Sequence, residues 1–208
     1  DRLTRLVYDI LDLSKMKQGE LALELRPVDV RSAVETQARV YAYLCEGRNI
    51  RLENRVPDGL PRALADESRF SQIIANLLDN AIKHTENGSI VVTASERDGM
   101  IEVSVKDTGE GIDPERLPHL FEPYRTFDDS SEQRGFGLGL PIVGQLVELQ
   151  GGTVAVESAK GTGTTFTFTL PVADTVGKRG SASMSRPGSG TVRNSRPAPG
   201  AGRRSNHG

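Results

Sequence analysis

Residues 66–84, DESRFSQIIANLLDNAIKH, decide the fold because they combine a helix start with a two-sided residue pattern. Asp66 is a good N-cap, and the helix is predicted to run to about His84. Apolar residues gather on one side of the helical wheel, and these are Phe70, Ile74, Leu77, Leu78 and Ala81. The polar residues roughly opposite are Gln72, Asn76, Asn80, Lys83 and His84. We therefore expect a helix with one side in the core and the other side available for function.

Two asparagines one turn apart, Asn76 and Asn80, make the polar side of this helix unusual. Asparagine is a poor helix former, so a merely solvated side would favour Glu or Lys. Amide oxygens are neutral, hard donors that suit Mg²⁺, which often bridges a protein to substrate phosphates. Asn80 is therefore predicted to bind the metal, and Asn76 to orient a water or share that role. Lys83 is predicted to contact phosphate, whereas His84 either joins this site or bonds a terminal carbonyl of the helix.

A carboxylate is predicted at the end of a strand, on the side that faces the core. Apolar residues alternate through residues 100–106, and Asp107 continues their inward phase. A buried carboxylate without a partner would cost several kcal/mol. Gly109 and Gly111 allow a flat ligand to approach, and adenine fits because its amine donates to a carboxylate while guanine presents an acceptor oxygen. A turn-forming or helix-capping Asp is the alternative.

A glycine-rich segment precedes the last predicted helix, residues 138–149. Glycines alternate within residues 134–141, where backbone amides can wrap a phosphate at a helix N-terminus. The same pattern also suits a plain joint between loop and helix. Polar residues 125–134 have the composition of a mobile lid over a triphosphate, with Phe121 and Tyr124 as hinge anchors. In the last hairpin turn, Thr165 either bonds adenine through water or serves turn geometry only.

Helix and strand patterns over the whole chain predict an α+β fold. We expect a two-layer α/β sandwich with helices on one face of a mixed sheet, preceded by one coiled-coil-like helix. That first helix, residues 1–19, has a seam of Leu3, Leu6, Ile10 and Leu13. Predicted strands cover residues 21–25, 50–56, 89–95, 100–106, 153–158 and 164–170, and a further helix covers 29–46 with Val30, Val34, Tyr41, Leu44 and Cys45 on one face.

Composition restricts the class of protein. The 208 residues carry a net charge of −2, contain one cysteine and no Trp, and have ordinary hydrophobic and charged fractions of 36% and 26%. A disulfide within the chain is excluded, no apolar run reaches the roughly 20 residues of a membrane span, and no nucleic-acid partner is expected. A cytoplasmic location is expected, with any membrane anchor outside this stretch. Residues 173–208, a basic segment rich in Gly, Ser, Pro and Arg, are predicted to be disordered.

Five motifs occur in a fixed order along the chain. They are residues 76–85 (NLLDNAIKHT), 107–112 (DTGEGI), 121–124 (FEPY), 135–140 (GFGLGL) and 161–166 (GTGTTF). In this order they resemble the N box, first glycine box, F box, second glycine box and last glycine box of the histidine-kinase branch of the ATPase superfamily that also includes gyrase B and MutL. The resemblance covers about residues 20–172. Residues 11–15 (LDLSK) also resemble the end of the second helix of that family's dimerisation and phosphotransfer domain.

The resemblance implies an ATP-binding catalytic domain that uses ATP and Mg²⁺ to phosphorylate a histidine, from which an aspartate on a response-regulator receiver domain is then phosphorylated. It also implies a homodimer through the N-terminal helix. The family's phosphoacceptor box is absent here, since the histidines are His84, His119 and His207, so no catalytic residue is assigned. Pro141 and Phe136 also depart from the usual second glycine box. The ATP-binding residues implied are Asn76, Asn80, Lys83, His84, Asp107, Gly109, Gly111, Ile112, Tyr124, Arg134, Gly135, Gly137, Leu138, Gly139 and Thr165, with Asn80 and Asn76 at the metal.

Two other functions stay open at this point. One is a catalytically silent module that senses ATP or docks onto a partner. The other is a gyrase-like or MutL-like ATPase, although those enzymes hydrolyse ATP with a glutamate base, and its motif position holds Asn76, which cannot accept a proton. Binding of RNA by the basic tail is disfavoured because no aromatic residue interleaves its charges.

Overall fold

The computed structural model describes residues 2–123 and 137–173, without the side chains of residues 2–6, 8 and 9. The predicted lid, with Tyr124, Arg134 and Gly135, and residues 174–208 of the predicted tail lie outside the described residues. In chain order, the elements are α1 (Arg2–Gln18), β1 (Arg26–Val28), α2 (Val30–Glu46), β2 (Ile50–Asn54), β3 (Ala63–Ala65), α3 (Glu67–Lys83), β4 (Gly88–Arg97), β5 (Met100–Asp107), a 3₁₀ turn (Leu117–His119), α4 (Gly139–Leu149), β6 (Val154–Ala159) and β7 (Gly163–Pro171).

The main sheet has five strands in the order β2-β4-β5-β7-β6. β2 and β4 are parallel, and each of the other neighbouring pairs is antiparallel, so the sheet is mixed. Helices α2, α3 and α4 pack side by side on it: α2 contacts β2, α3 contacts β4 and β5, and α4 contacts β6 and β7. The predicted α+β fold with a two-layer sandwich is confirmed. Within the described part of the chain, no helix is both long and apolar enough to cross a membrane.

The core lies between α3 and the centre of the sheet. The apolar side predicted for α3 is buried over its whole length, and the Phe70 ring meets the Phe168 ring of β7 with centroids 6.0 Å apart and a tilt of 58°. Such tilted aromatic pairs add to the stability gained from burial alone. The inward positions of the central strands carry the matching apolar residues, which are Ile90, Val92, Ile101, Val103, Val105, Phe166, Phe168 and Leu170.

The strand predicted over residues 21–25 is wrong. The backbone N–H of Glu24 donates to Asp66 Oδ2 at 3.0 Å, so it bonds the start of a helix instead of a neighbouring strand. The strand begins at Arg26 and pairs antiparallel with β3. The period-2 pattern of leucines therefore marked a segment that runs beside the sheet without joining it.

Two helix faces that were predicted to be buried each contain an exposed residue in the structure. On α2, Val30, Val34, Tyr41 and Cys45 are buried as predicted, but the Leu44 side chain is 50% exposed. On α1, Leu13 is buried and Ile10 is 41% exposed, because α1 packs against α4 through its last turns.

A polar contact also holds α1 in place. Asp12 Oδ2 accepts hydrogen bonds from Arg69 Nη1 at 2.7 Å and from Gln72 Nε2 at 3.1 Å, with all three groups on the contact between α1 and α3. Both donors stand in the first turns of α3, before the two asparagines. The first helix therefore contacts the same helix that carries the candidate site.

We expect Asp66→Ala to lower the free energy of unfolding by about 2 kcal/mol. Asp66 Oδ1 accepts from the backbone N–H groups of Ser68 and Arg69 at the start of α3, and Oδ2 accepts from Glu24. Asp29→Ala is the matched control, because Asp29 caps α2 through Ser32 N alone, and we expect it to cost about 1 kcal/mol. Urea unfolding measures both losses. Equal losses would contradict the account of Asp66 as a link between α3 and the segment before β1.

Candidate functional site

Asp107 ends β5 with its side chain on the core face of the sheet, 3% exposed. Its Oδ1 accepts from the backbone N–H of Gly109 at 2.9 Å and from that of Thr164 at 3.1 Å. Among the described residues, no hydrogen bond reaches Oδ2, so one carboxylate oxygen keeps its acceptor capacity for a ligand. Burial raises the pKa of the Asp107 carboxyl, and the two amides and nearby His84 oppose that rise without cancelling it.

The loop after Asp107 packs directly against the end of α3. His84 is the C-cap residue of α3, and its carbonyl accepts from Glu110 N at 3.1 Å. The His84 Nδ1 atom lies 2.7 Å from Glu110 Oε1. The two alternatives for His84 are thus resolved in part: its side chain bonds the loop that carries Asp107, not a terminal carbonyl of its own helix.

Gly109 and Gly111 are required by the packing of the chain itself. A Cβ atom on Gly109 would lie 2.1 Å from the His84 carbonyl oxygen, and one on Gly111 would lie 2.1 Å from the Ala159 carbonyl oxygen. Both distances are too short for any side chain. These glycines therefore hold the loop between α3 and the β6–β7 turn, in addition to the ligand approach that the sequence suggested.

Asn76 and Asn80 lie one turn apart on α3, between the start of α4 and Asp107. Asn76 is buried, at 8% exposed, and its Nδ2 donates to the Gly139 carbonyl at 3.5 Å. Asn80 and Lys83 are half-buried on the next turns. The polar side of α3 therefore has the last residues of the predicted glycine-rich segment at one end and Asp107 at the other.

The residues at the start of α4 differ in backbone conformation and in burial. Gly137 has a positive φ of 66°, which favours glycine, and Gly139 is the first residue of α4. Leu138 is buried in the core, so only its backbone borders the candidate site. Arg134 and Gly135, which begin this segment in the prediction, and the predicted hinge anchor Tyr124 lie outside the described residues.

Thr165 lies on the wrong face of the sheet for the predicted contact. It pairs with Lys106, whereas Thr164 precedes it on β7 with a buried side chain on the face of Asp107. Because strand side chains alternate between faces, Thr164 replaces Thr165 in the candidate site. Counting back from Leu170, Phe168 and Phe166 in steps of two would have identified it.

Ser158 is a second residue that the sequence argument missed. It continues the inward phase of Val154 and Val156 on β6 and pairs with Thr164 across the ladder. Its Oγ lies 2.9 Å from Thr164 Oγ1 and accepts from Ile112 N at 2.8 Å. No sequence signal marks this serine, because its partners come from the loop after β5.

The donor set of this site suits a nucleotide with a metal held through phosphates. Among the side chains that the structure describes, no three of His, Cys, Asp or Glu lie together as metal ligands. Asn76 and Asn80 contribute neutral amide oxygens, Lys83 a positive charge, and Asp107 an acceptor for an exocyclic amine.

Comparison with known proteins identifies the family. A family model described as "Histidine kinase-, DNA gyrase B-, and HSP90-like ATPase" matches residues 65–174. The chain belongs to this ATPase family. It is similar to the autoinducer 2 sensor kinase/phosphatase LuxQ of Vibrio parahaemolyticus, with 36% identity over 84% of the chain and 21% of that relative. It is also similar to the histidine protein kinase DivJ of Caulobacter vibrioides, with 37% identity over 80% of the chain and 28% of DivJ.

The solved structures agree with this assignment. Full-length ShkA, crystallised in complex with AMPPNP, matches with a TM-score of 0.74 and 36% identity over 81% of the chain and 35% of ShkA. Within the ATPase family, the chain is the ATP-binding catalytic domain of a sensor histidine kinase. It spans between about a fifth and a third of the length of these relatives.

For this ATPase domain without nucleotide, we expect Asp107→Asn to raise the free energy of unfolding at neutral pH. The folded-state pKa of Asp107 lies above its unfolded value, so wild type loses stability as pH rises through the interval between them. Asparagine removes that loss while its oxygen still accepts from Gly109 and Thr164. The advantage should be absent below about pH 4 and should grow above it, as urea unfolding at a series of pH values would measure. An advantage that shrinks as pH rises would contradict the burial argument.

Proposed function

We propose that this chain transfers the γ-phosphoryl group of ATP to a histidine supplied upstream or by another chain, as part of a two-component signalling system. The observation that carries the proposal is the buried Asp107 carboxylate with one uncommitted oxygen, standing beside a helix whose polar side ends in Asn80, Lys83 and His84. Membership of the ATPase family and similarity to a kinase crystallised with AMPPNP support ATP as the nucleotide.

Adenine recognition is proposed at Asp107. Its Oδ2 would accept a hydrogen bond from the exocyclic amine of adenine, and the backbone of Gly109, Gly111 and Ile112 is proposed to border the base. Guanine would set a carbonyl oxygen against the carboxylate and leave a buried charge unpaired, which is a strong ground for discrimination. Thr164 belongs to the same proposed site because its backbone N–H donates to Asp107 Oδ1.

Phosphate and metal binding are proposed along α3 and at the start of α4. Asn80 is the Mg²⁺ ligand, with Asn76 orienting a water or sharing the role, and Lys83 contacts phosphate as a point charge. Mg²⁺, when bound, neutralises charge that develops on the transferring phosphoryl group. The backbone at Gly137–Gly139 adds N–H groups near the N-terminus of α4, and the same role is proposed for Gly135. Tyr124 and Arg134 are proposed as further ATP-binding residues.

The proposed organisation of the chain has three parts. Residues 1–19 end a dimerisation and phosphotransfer helix, residues 20–172 form the catalytic domain, and residues 173–208 form a basic tail. In the whole protein we propose a homodimer through the first helix, a response-regulator receiver domain as partner, and a cytoplasmic location for this domain.

Hydrolysis as the main activity is disfavoured by the contacts of Asn76. Its amide donates to the Gly139 carbonyl, and an amide cannot take a proton from an attacking water. A gyrase-like or MutL-like ATPase is therefore the weaker account. A silent ATP-sensing or docking module has the same pocket and is separated from a kinase by its inability to transfer phosphate.

Calorimetric titration tests the pocket. We expect Mg-ATP to bind at least about a hundredfold more tightly than Mg-GTP, and Asp107→Asn to weaken ATP binding about a hundredfold through loss of a charge-assisted hydrogen bond. Asn80→Ala should reduce the gain in affinity that Mg²⁺ gives, whereas the control Asn87→Ala, an exposed residue before β4, should bind as wild type. ATP binding unaffected by Asp107→Asn would refute the proposed adenine contact.

Phosphoryl transfer is tested with γ-labelled ATP and an added helix pair that carries a phosphoacceptor histidine. We expect label on that histidine that is stable in base and labile in acid, and much less of it with Asn80→Ala. ATP binding without any labelling would favour the silent module over the kinase.

A further inference from the structure

Three polar side chains stand in a row on the core face of adjacent strands. Asp107 ends β5, Thr164 lies near the start of β7, and Ser158 lies opposite Thr164 on β6. Each occupies a position that the alternation of its strand assigns to an apolar residue. Such a row at one end of the sheet indicates a shared role, because each polar group in it needs a partner.

Ser158 is the centre of this group. Its Oγ accepts from Ile112 N at 2.8 Å, donates to the Gly163 carbonyl at 3.0 Å and lies 2.9 Å from Thr164 Oγ1. A hydroxyl has one hydrogen and two lone pairs. With Thr164 Oγ1 as donor to it, the Ser158 hydroxyl uses its full capacity.

The partners of Ser158 belong to the two segments that hold Asp107. Ile112 ends the loop that begins with Gly109, and Gly163 precedes Thr164 on β7. The backbone N–H groups of Gly109 and Thr164 are the two donors to Asp107 Oδ1.

The two segments also touch through their backbones, which leaves little room for adjustment. A Cβ atom on Gly111 would lie 2.1 Å from the Ala159 carbonyl oxygen, and one on Gly163 would lie 2.1 Å from the Asp107 carbonyl oxygen. The Gly161 amide donates to the Glu110 carbonyl at 2.6 Å. Within this contact, Ser158 is a side chain that bonds both segments, and it does so next to the two amides that donate to Asp107.

We propose that Ser158 is a positioning residue for adenine recognition, which ties the loop after β5 to the β6–β7 turn so that Oδ1 of Asp107 is bound by the protein and Oδ2 faces the exocyclic amine. The inference rests on the proposed adenine contact. Ser158 itself need not touch the nucleotide. Its removal leaves the Ile112 N–H and the Gly163 carbonyl without this partner and lets the two amide donors shift from Oδ1.

The test compares Mg-ATP with the Mg complex of purine riboside triphosphate, which lacks the 6-amino group. For Ser158→Ala we expect about tenfold weaker ATP binding, equal to the loss of about one well-placed hydrogen bond. Affinity for the nucleotide without the amine should change less than about twofold, because that ligand does not use the Asp107 contact. Equal loss for both nucleotides would mean that Ser158 supports the fold only and would overturn the proposal.

Three further variants complete the design. Ser158→Thr keeps the hydroxyl and should restore ATP binding to near the wild-type value. Ser158→Cys, which keeps the volume with a much weaker hydrogen-bonding group, should repeat the selective loss and replaces the alanine variant if that one does not fold. Ser104→Ala removes a hydroxyl of the same sheet that bonds Thr167 Oγ1 at 2.9 Å, and it should leave both affinities unchanged.

The nucleotide preference of the wild-type protein distinguishes failure of this proposal from failure of the proposed adenine contact. If wild type does not prefer ATP to purine riboside triphosphate, the adenine contact at Asp107 is wrong and the role of Ser158 falls with it. If wild type shows that preference and Ser158→Ala keeps it in full, the adenine contact stands and the role of Ser158 is refuted.

Discussion

The Asp107 carboxylate, buried at the end of a core strand, is the interaction on which the candidate site depends. A charge in this position lowers the stability of the empty protein, and burial accordingly raises the pKa of the group. Two backbone amides satisfy one oxygen and leave the other as an acceptor. The protein thus tolerates a local cost, which the exocyclic amine of adenine would offset through the proposed contact. Such a relation between stability and function is common at binding sites.

Helix α3 connects this carboxylate to the rest of the fold. Its apolar side forms the centre of the core, with Phe70 against Phe168, and its polar side carries Asn76, Asn80 and His84. Because the same seventeen-residue helix serves both purposes, the candidate ligands stand on an element whose other side is buried in the core. The cap at Asp66 fixes the other end of the helix, where the first helix also makes contact.

The sequence predicted those features that depend on local periodicity. The limits of α3, the inward position of Asp107 and the strands predicted over residues 89–95 and 100–106 follow from helix caps and strand alternation. The same alternation predicts an inward side chain at Thr164 and an outward one at Thr165.

Other features depend on contacts between distant segments, and no local pattern contains them. Ser158 accepts a hydrogen bond from Ile112 in the loop after β5. The backbone N–H of Glu24 bonds Asp66 instead of a neighbouring strand. Leu44 continues the apolar pattern of α2 although its side chain lies at the surface. Periodicity gives the direction of a side chain relative to its own helix or strand, but not the element that it meets.

A crystal structure of the chain with Mg²⁺ and AMPPNP tests the central claim most directly. The account predicts the exocyclic nitrogen of adenine at about 3 Å from Asp107 Oδ2, with Oδ1 still bound by Gly109 and Thr164, and the metal on the amide oxygen of Asn80. Adenine bound away from Asp107, or an Asp107 side chain whose two oxygens both bond the protein, would contradict it.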